Sequence, residues 1–217
     1  MIPDIYEFYK NVTMKWEKGK VNDVNDPGGA TNDGVATHFI TDFASTTAGV
    51  QCLHSLNIEP DFIMGYMNKQ AKTKTRIFNP DLLMSFTPDQ CMNILIFNFW
   101  TNNQLPNVGP KLAAYATFDF CINSGASRGK KYLQMAANDF TSSRAPLAID
   151  GIFGPKSYER FNDFTNPQDD IALALRVCDK RLSFLRSLNT WQYYGRGWQN
   201  RVDALRSYIQ SVGARNV

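Results

Sequence analysis

Apolar residues recur at helical spacing through most of the chain. Ile5, Tyr9, Val12 and Trp16 form one face of a first helix, which Pro3 opens at a first-turn position. Glu17 follows near its C-terminal end. The period is lost over residues 18–35, where Asn, Asp, Pro27 and four glycines predict a structured loop or short hairpin. Residues 36–58 are ambiguous, with a helix expected from about Thr41. Residues 59–86 hold Pro60, Pro80 and a polar, basic run from Lys69 to Arg76. They show no clear period and read as an insertion. Thr87-Pro88-Asp89-Gln90 has the form of a capping box, and its helix is expected to run to about Trp100. Leu105 to Pro110 reads as a linker.

The second half is more strongly helical. Leu112, Tyr115, Phe118 and Ile122 give one helix face, ending at Asn123-Ser124-Gly125. Arg128 to Asn138 gives another helix. Asp150-Gly151-Ile152-Phe153-Gly154-Pro155 predicts a tight turn that launches a short helix through Phe161. Ile171, Leu175, Cys178, Leu182 and Leu185 mark a long helix. Trp198, Val202, Leu205, Ile209 and Val212 mark the last. The fold class is mainly α, as two helical lobes in one compact unit, residues 1–104 and 111–217.

Composition narrows the class. At 217 residues and 43% apolar content the chain can bury a sizeable core. No apolar run approaches a membrane span, and Met1-Ile2-Pro3-Asp4 has neither the basic nor the apolar part of an export signal. The four cysteines, Cys52, Cys91, Cys121 and Cys178, form no CxxC pair and are expected as buried free thiols. Charge is uneven. Residues 1–110 hold 8 Lys/Arg against 11 Asp/Glu, and residues 111–217 hold 15 against 9, giving −3 and +6. A basic half suits a polyanion, either cell wall or nucleic acid.

The chemistry centres on Glu17. Cleaving a glycosidic bond needs an acid to protonate the leaving oxygen, and usually a second carboxylate to stabilise the cation, attack it or activate water. Such an acid works best partly removed from water. Glu17 follows Trp16 and an apolar helix face, so a partly desolvated seat is expected. Asp26 lies nine positions on and Thr31 five further. Asp26 also precedes Pro27-Gly28-Gly29, where an aspartate holds turns, so a base and a loop-fixing residue are both open readings. Asp23 is a rival. Gly28, Gly29 and Gly34 supply tight backbone geometry or the close approach of a sugar.

The run Asp26-Pro27-Gly28-Gly29-Ala30-Thr31-Asn32-Asp33-Gly34-Val35, with Glu17 ahead of it, resembles the signature of glycoside hydrolase family 108. Members are lysozyme-like muramidases of phage endolysins and bacterial cell-wall enzymes. Lys18 and Lys20 stand where the family has a glycine and a tyrosine. Phe118 to Gly125, Gln134, Asp150 to Ser157, Arg181 and Gly197-Trp198-x-x-Arg201 resemble the predicted peptidoglycan domain that trails the family's catalytic module. The resemblance implies a lysozyme-like fold. It makes residues 1–104 the catalytic region and 111–217 a peptidoglycan-binding region. It also implies a monomer that cleaves the β-1,4 bond between N-acetylmuramic acid and N-acetylglucosamine. Glu17 becomes the general acid. By similarity to phage-type lysozymes, Asp26 and Thr31 position the attacking water. Asp23, Gly28, Gly29, Asp119 and Asn123 are candidate substrate-binding residues. No cofactor or metal is implied, and no nucleic acid or membrane insertion. Release to the wall through a partner-made membrane hole (a holin) is expected, with passage of a bacterial enzyme through a dedicated secretion system as the open alternative. Two other readings stay open: a lytic transglycosylase on the same bond, and a non-catalytic wall-binding or secretion-associated protein.

Other residues have plainer readings. His38 and His54 lack partners for nucleophilic catalysis. Asp119 and Asn123, one helical turn apart, could line a cleft, or Asn123 could cap its helix. Asp150 fixes the turn before Gly151, and Arg181 and Arg201 read as structural ion-pair donors. Trp191, Tyr193, Tyr194 and Trp198, with Arg196 and Arg201, suit either stacking on a ligand or packing, and packing is preferred.

Overall fold

A computed structural model describes residues 2–17, 19–21, 29–66, 72–140 and 142–215. Its elements, in order, are α1 (Ile5–Phe8), a π-helical stretch (Tyr9–Thr13), α2 (Met14–Glu17), β1 (Lys20–Val21), β2 (Thr31–Asn32), β3 (Val35–Ala36), α3 (Thr37–Phe43) and α4 (Thr47–Ser55). There follow β4 (Phe62–Gly65), β5 (Thr75–Phe78), α5 (Pro80–Ser85), α6 (Pro88–Ile96), a second π-helical stretch (Phe97–Thr101) and a 3₁₀ turn (Leu105–Asn107). The rest is α7 (Lys111–Ser124), α8 (Ala126–Asn138), α9 (Pro155–Phe161), a 3₁₀ turn (Asn162–Phe164), α10 (Pro167–Arg186) and α11 (Trp191–Ala214). No described helix is long and apolar enough to cross a membrane.

The chain divides into two compact units, but not at the expected linker. Residues 14–98 form one. Residues 1–13 join 99–217 in the other. The reason is aromatic packing. Phe8 stacks on Tyr115 at 4.5 Å between ring centroids, and the Tyr115 hydroxyl donates to the Pro3 carbonyl at 2.6 Å. Leu105, in the supposed linker, is fully buried.

In the larger unit α7 is the central helix, packed by α8, α10 and α11. Apolar spacing predicts one buried face for it, yet every residue from Leu112 to Cys121 is buried. Its first turn is capped from α10, where Asp170 accepts from the Leu112 and Ala113 amides, each at 2.9 Å. Those amides would otherwise lack partners inside the helix. All four cysteines are free and buried, and burial pushes their thiols up to about 11 or 12. Asp150 holds its turn as expected, accepting from Gln134 Nε2 at 2.9 Å and from the Ile152 amide at 2.8 Å. The last helix starts seven residues before the expected Trp198, and this moves the aromatic cluster. Tyr193 and Tyr194 stand exposed on its first turns, against the expectation of packing.

The smaller unit holds the two sheets. β1, β2 and β3 form an antiparallel sheet in that order, with Val21 opposite Thr31 and Thr31 opposite Ala36. The short hairpin expected within 18–35 is thus part of a three-stranded sheet. The aperiodic 59–86 stretch is structured too. Its β4–β5 hairpin pairs Phe62 with Phe78, and α5 follows. Thr41 shows why α3 starts earlier than expected. Its hydroxyl donates to the Thr37 carbonyl at 2.6 Å and accepts from the Phe78 amide at 2.9 Å, so helix and hairpin are joined there. The capping box at Thr87 and Gln90 forms as the sequence requires.

Candidate functional site

Glu17 closes α2, and the chain turns through Gly19 into β1. A reciprocal pair of hydrogen bonds fastens this corner to the β2–β3 turn. The Gly19 amide donates to Asp33 Oδ1 at 2.8 Å, and the Asp33 amide donates to the Gly19 carbonyl at 3.0 Å. Asp33 and Gly34 have φ of 43° and 85°. Two left-handed residues in a two-residue loop suit the twist of a β-hairpin, and Asp-Gly is a favoured pair for it.

Gly34 then meets the acid. A Cβ placed on it would stand 3.0 Å from Glu17 Cβ, 3.1 Å from Glu17 Oε2 and 3.2 Å from Leu95 Cδ1. The missing side chain is what lets the Glu17 carboxyl and the buried Leu95 share this spot. Glu17 itself is half-buried. The sheet beneath is anchored by Asn32, whose buried Nδ2 donates to the Leu83 and Phe86 carbonyls at 2.9 and 3.0 Å. Lys20 is drawn to the same segment, its Nζ donating to the Met84 carbonyl at 2.7 Å. A network of backbone and amide contacts therefore fixes where Glu17 can go.

Thr31 lies on β2 of this sheet, half-buried, its hydroxyl donating to the Gly29 carbonyl at 3.4 Å. Gly29 is buried beside it. Asp23, Asp26, Gly28 and Lys18 lie outside the described residues. The anchoring roles of Asn32 and Asp33 were not read from the sequence. The Asp33-Gly34 pair between two short strands was the available signal.

Asp119 does not line a cleft. Its side chain is 0% exposed, and both oxygens are taken. Arg201 grips it through Nε at 3.0 Å and Nη2 at 2.9 Å, and Arg181 Nη1 donates at 2.6 Å. Burial alone would raise its pKa, but the Arg201 and Arg181 guanidiniums outweigh burial and hold the carboxyl well below the usual range. Arg181 and Arg201 are structural ion-pair donors, as expected. Asn123 sits at the end of α7, where its Oδ1 accepts from the Ser124 hydroxyl at 3.0 Å.

A cavity of about 740 Å³ lies in the larger unit, beside the 144–148 loop and α9. Its carboxylates have local partners: Asp150 holds its own turn, and Glu159 pairs with Arg144, which lines the same cavity, at 3.6 Å. Both are exposed, whereas Glu17 is half-buried. The seat of Glu17 is the better candidate for chemistry.

Comparison with known proteins identifies the family. The model of the family described as Glycosyl hydrolase 108 matches residues 10–125, more than half of the chain, and the matched stretch contains Glu17 and the Asp33-Gly34 turn. No curated protein matches the sequence. The fold is similar to the structure of SagA from Brucella abortus, with a TM-score of 0.63 and 23% identity over 95% of this chain and 94% of that one. The mainly α, lysozyme-like architecture is the one expected. The chain belongs to glycosyl hydrolase family 108 and is a glycoside hydrolase acting on peptidoglycan.

Proposed function

We propose that the enzyme is an N-acetylmuramidase with Glu17 as its proton donor. The observation that carries this reading is the seat of Glu17, half-buried beside Gly34 inside the family match. Protonation of the glycosidic oxygen by Glu17 lets the leaving sugar depart as an alcohol. Asp26 and Thr31 then hold the water that attacks the opposite face of the muramic acid ring, giving inversion. Residues 111–217 supply wall binding, consistent with their charge of +6.

Product analysis tests the reaction. Digestion of purified sacculi is expected to release fragments with reducing muramic acid ends, each bond having gained one water. The first-formed anomer is expected to be α, seen by early-time NMR on a soluble oligosaccharide. Anhydro-muramic ends would assign a lytic transglycosylase instead. A β anomer would discard the inverting course, and no products across pH and salt would discard both activities.

Gly34→Ala probes the seat itself. A non-glycine residue at φ of 85° costs about 1–2 kcal/mol. The added methyl also presses on the Glu17 side chain, and misplacing a catalytic group by about 1 Å can cost about 100-fold in rate. Turnover is therefore expected to fall much more than the modest drop in Tm explains. Equal rates for variant and wild type would show that Gly34 does not position the acid.

A further inference from the structure

The β4–β5 hairpin carries exposed apolar side chains that neither the core nor the proposed acid uses. Its base is well held. Phe62 and Phe78 meet across the strands at 5.8 Å between ring centroids, Phe78 meets Phe86 at 5.9 Å, and the Asn79 amide donates to the Asp61 carbonyl at 2.8 Å. Away from the base the burial ends. Ile77 and Phe78 are buried, while Lys72, Lys74, Thr75 and Arg76 are exposed. On β4 and just past it, Ile63, Met64 and Tyr66 are 41%, 65% and 49% exposed. Single exposed apolar residues are ordinary, but a contiguous group marks an interaction surface.

Most of these groups share one side of the hairpin. Residues opposite each other in an antiparallel pair point the same way, and so do i and i+2 along a strand. Met64 is opposite Arg76, and Phe62 is opposite Phe78. The side-chain contacts agree. The Arg76 guanidinium lies 4.1 Å from the centroid of the Phe62 ring, and Lys74 Nζ lies 5.8 Å from that of Tyr66. Phe62, Met64, Tyr66, Lys74 and Arg76 therefore form one surface, with Ile63 on the other side.

Charge and chemistry select the partner. No carboxylate occurs from Phe62 to Pro80, although residues 1–110 as a whole carry −3. Basic residues alone would serve to guard an exposed sheet edge. A guarded edge has charge in place of apolar side chains, whereas here the two are interleaved. A sugar or a base stacking on Phe62 or Tyr66 would compete with Arg76 and Lys74, which already lie over those rings. Residues 62–66 and 72–76 also lack the carboxamides and carboxylates that hold sugar hydroxyls. An anionic bilayer suits both parts of the surface. Met64 and the Tyr66 ring enter the boundary between headgroups and acyl chains. The long basic side chains lie along the rings and keep their charged ends at the lipid phosphates.

We propose that the β4–β5 hairpin is a peripheral docking surface for an anionic phospholipid bilayer, one that holds the hydrolase at a membrane beside its wall substrate. This needs no membrane-spanning helix and does not depend on which group is the acid. In the test, the full chain is sedimented with vesicles of equimolar phosphatidylglycerol and phosphatidylcholine, and with vesicles of phosphatidylcholine alone. Binding is expected to the first and not to the second, and it is expected to weaken as salt is raised. Lys72→Gln with Lys74→Gln is expected to weaken it by about fivefold for each lysine. Met64→Ser with Tyr66→Ser is expected to weaken it about tenfold, with Tm unchanged because both side chains are exposed. Both double variants are expected to keep the wild-type rate on purified sacculi, which carry no lipid. A nitrobenzoxadiazole label on Met64→Cys separates insertion from charge attraction. The four native thiols are buried, so the label goes to the new one. Its emission is expected to shift to the blue on anionic vesicles and to stay unchanged with inorganic phosphate. No binding of wild type to anionic vesicles, binding that neither double variant weakens, or an unshifted label on bound protein would overturn the proposal. So would a fall in rate on sacculi in Met64→Ser with Tyr66→Ser, which would give the surface to the glycan. Self-association that depends on Met64 and Tyr66, or their binding of single-stranded DNA in place of vesicles, would overturn it as well.

Discussion

Glu17→Gln is expected to lower turnover of purified sacculi by about 1,000-fold or more while leaving Tm within a few degrees of wild type. The amide keeps the size and shape of the acid, so its fit beside Gly34 survives. What it loses is the transferable proton, and a positioned general acid is worth about 100- to 10,000-fold. Binding to sacculi is expected to persist, so the loss should fall on kcat with little change in apparent affinity. Glu17→Asp sharpens the test. It keeps the proton but withdraws it by one methylene, and the corner between Gly19 and Asp33 holds the backbone where it is. Its rate is expected to fall about 100-fold, because the acid no longer reaches the glycosidic oxygen. Retention of more than a tenth of the wild-type rate by Glu17→Gln, measured by reducing-end release, would assign the proton to another group.

What the sequence made legible follows from how local each signal is. The capping box at Thr87 and Gln90 depends on four consecutive residues, and it formed as read. The turn at Asp150 is equally local. The long helices α10 and α11 were visible because several turns of apolar spacing leave few other structures available. Long-range choices were hidden. Asn32 has no sequence neighbour that reveals its link to the Leu83 and Phe86 carbonyls, more than fifty positions away. The β4–β5 hairpin in 59–86 showed no alternation because exposed apolar residues, Ile63 and Met64, break the pattern. The unit boundary was misplaced because Phe8 and Tyr115 meet across more than a hundred residues. Asp119 looked like a cleft residue because helical spacing alone does not say that α7 is buried all round. Glu17 stood out for the opposite reason: it carries a chemical group in a short, unusual run, and the turn that seats it is written in the adjacent Asp33-Gly34.

Asp119→Ala is expected to be the most destabilising of these substitutions, by about 3–5 kcal/mol. The loss is larger than the removal of a few contacts because two guanidiniums stay behind. Arg181 is almost wholly buried and Arg201 nearly so, and without Asp119 they repel each other in a site with little water. For a chain of this size the change corresponds to a fall in Tm of roughly 10 °C, readable by calorimetry. The acid dependence has a definite sign. The folded pKa of Asp119 lies below the unfolded value of about 3.9, so the ion pairs stabilise the fold fully above that value and are lost as pH falls toward the folded pKa. The gap in stability between wild type and Asp119→Asn is therefore expected to stay constant from neutral pH to about pH 5 and to narrow below pH 4. A gap that widens in acid would mean that the carboxyl is protonated in the native state. A triple variant separates attraction from desolvation. Asp119→Leu with Arg181→Met and Arg201→Met removes all three buried charges at once. Apolar replacements of a buried ionic group are often neutral or stabilising, so this variant is expected to recover much of the loss seen in Asp119→Ala. If it is instead worse than Asp119→Ala, the triad contributes net attraction beyond the cost of burying it, and the charges themselves hold α7, α10 and α11 together.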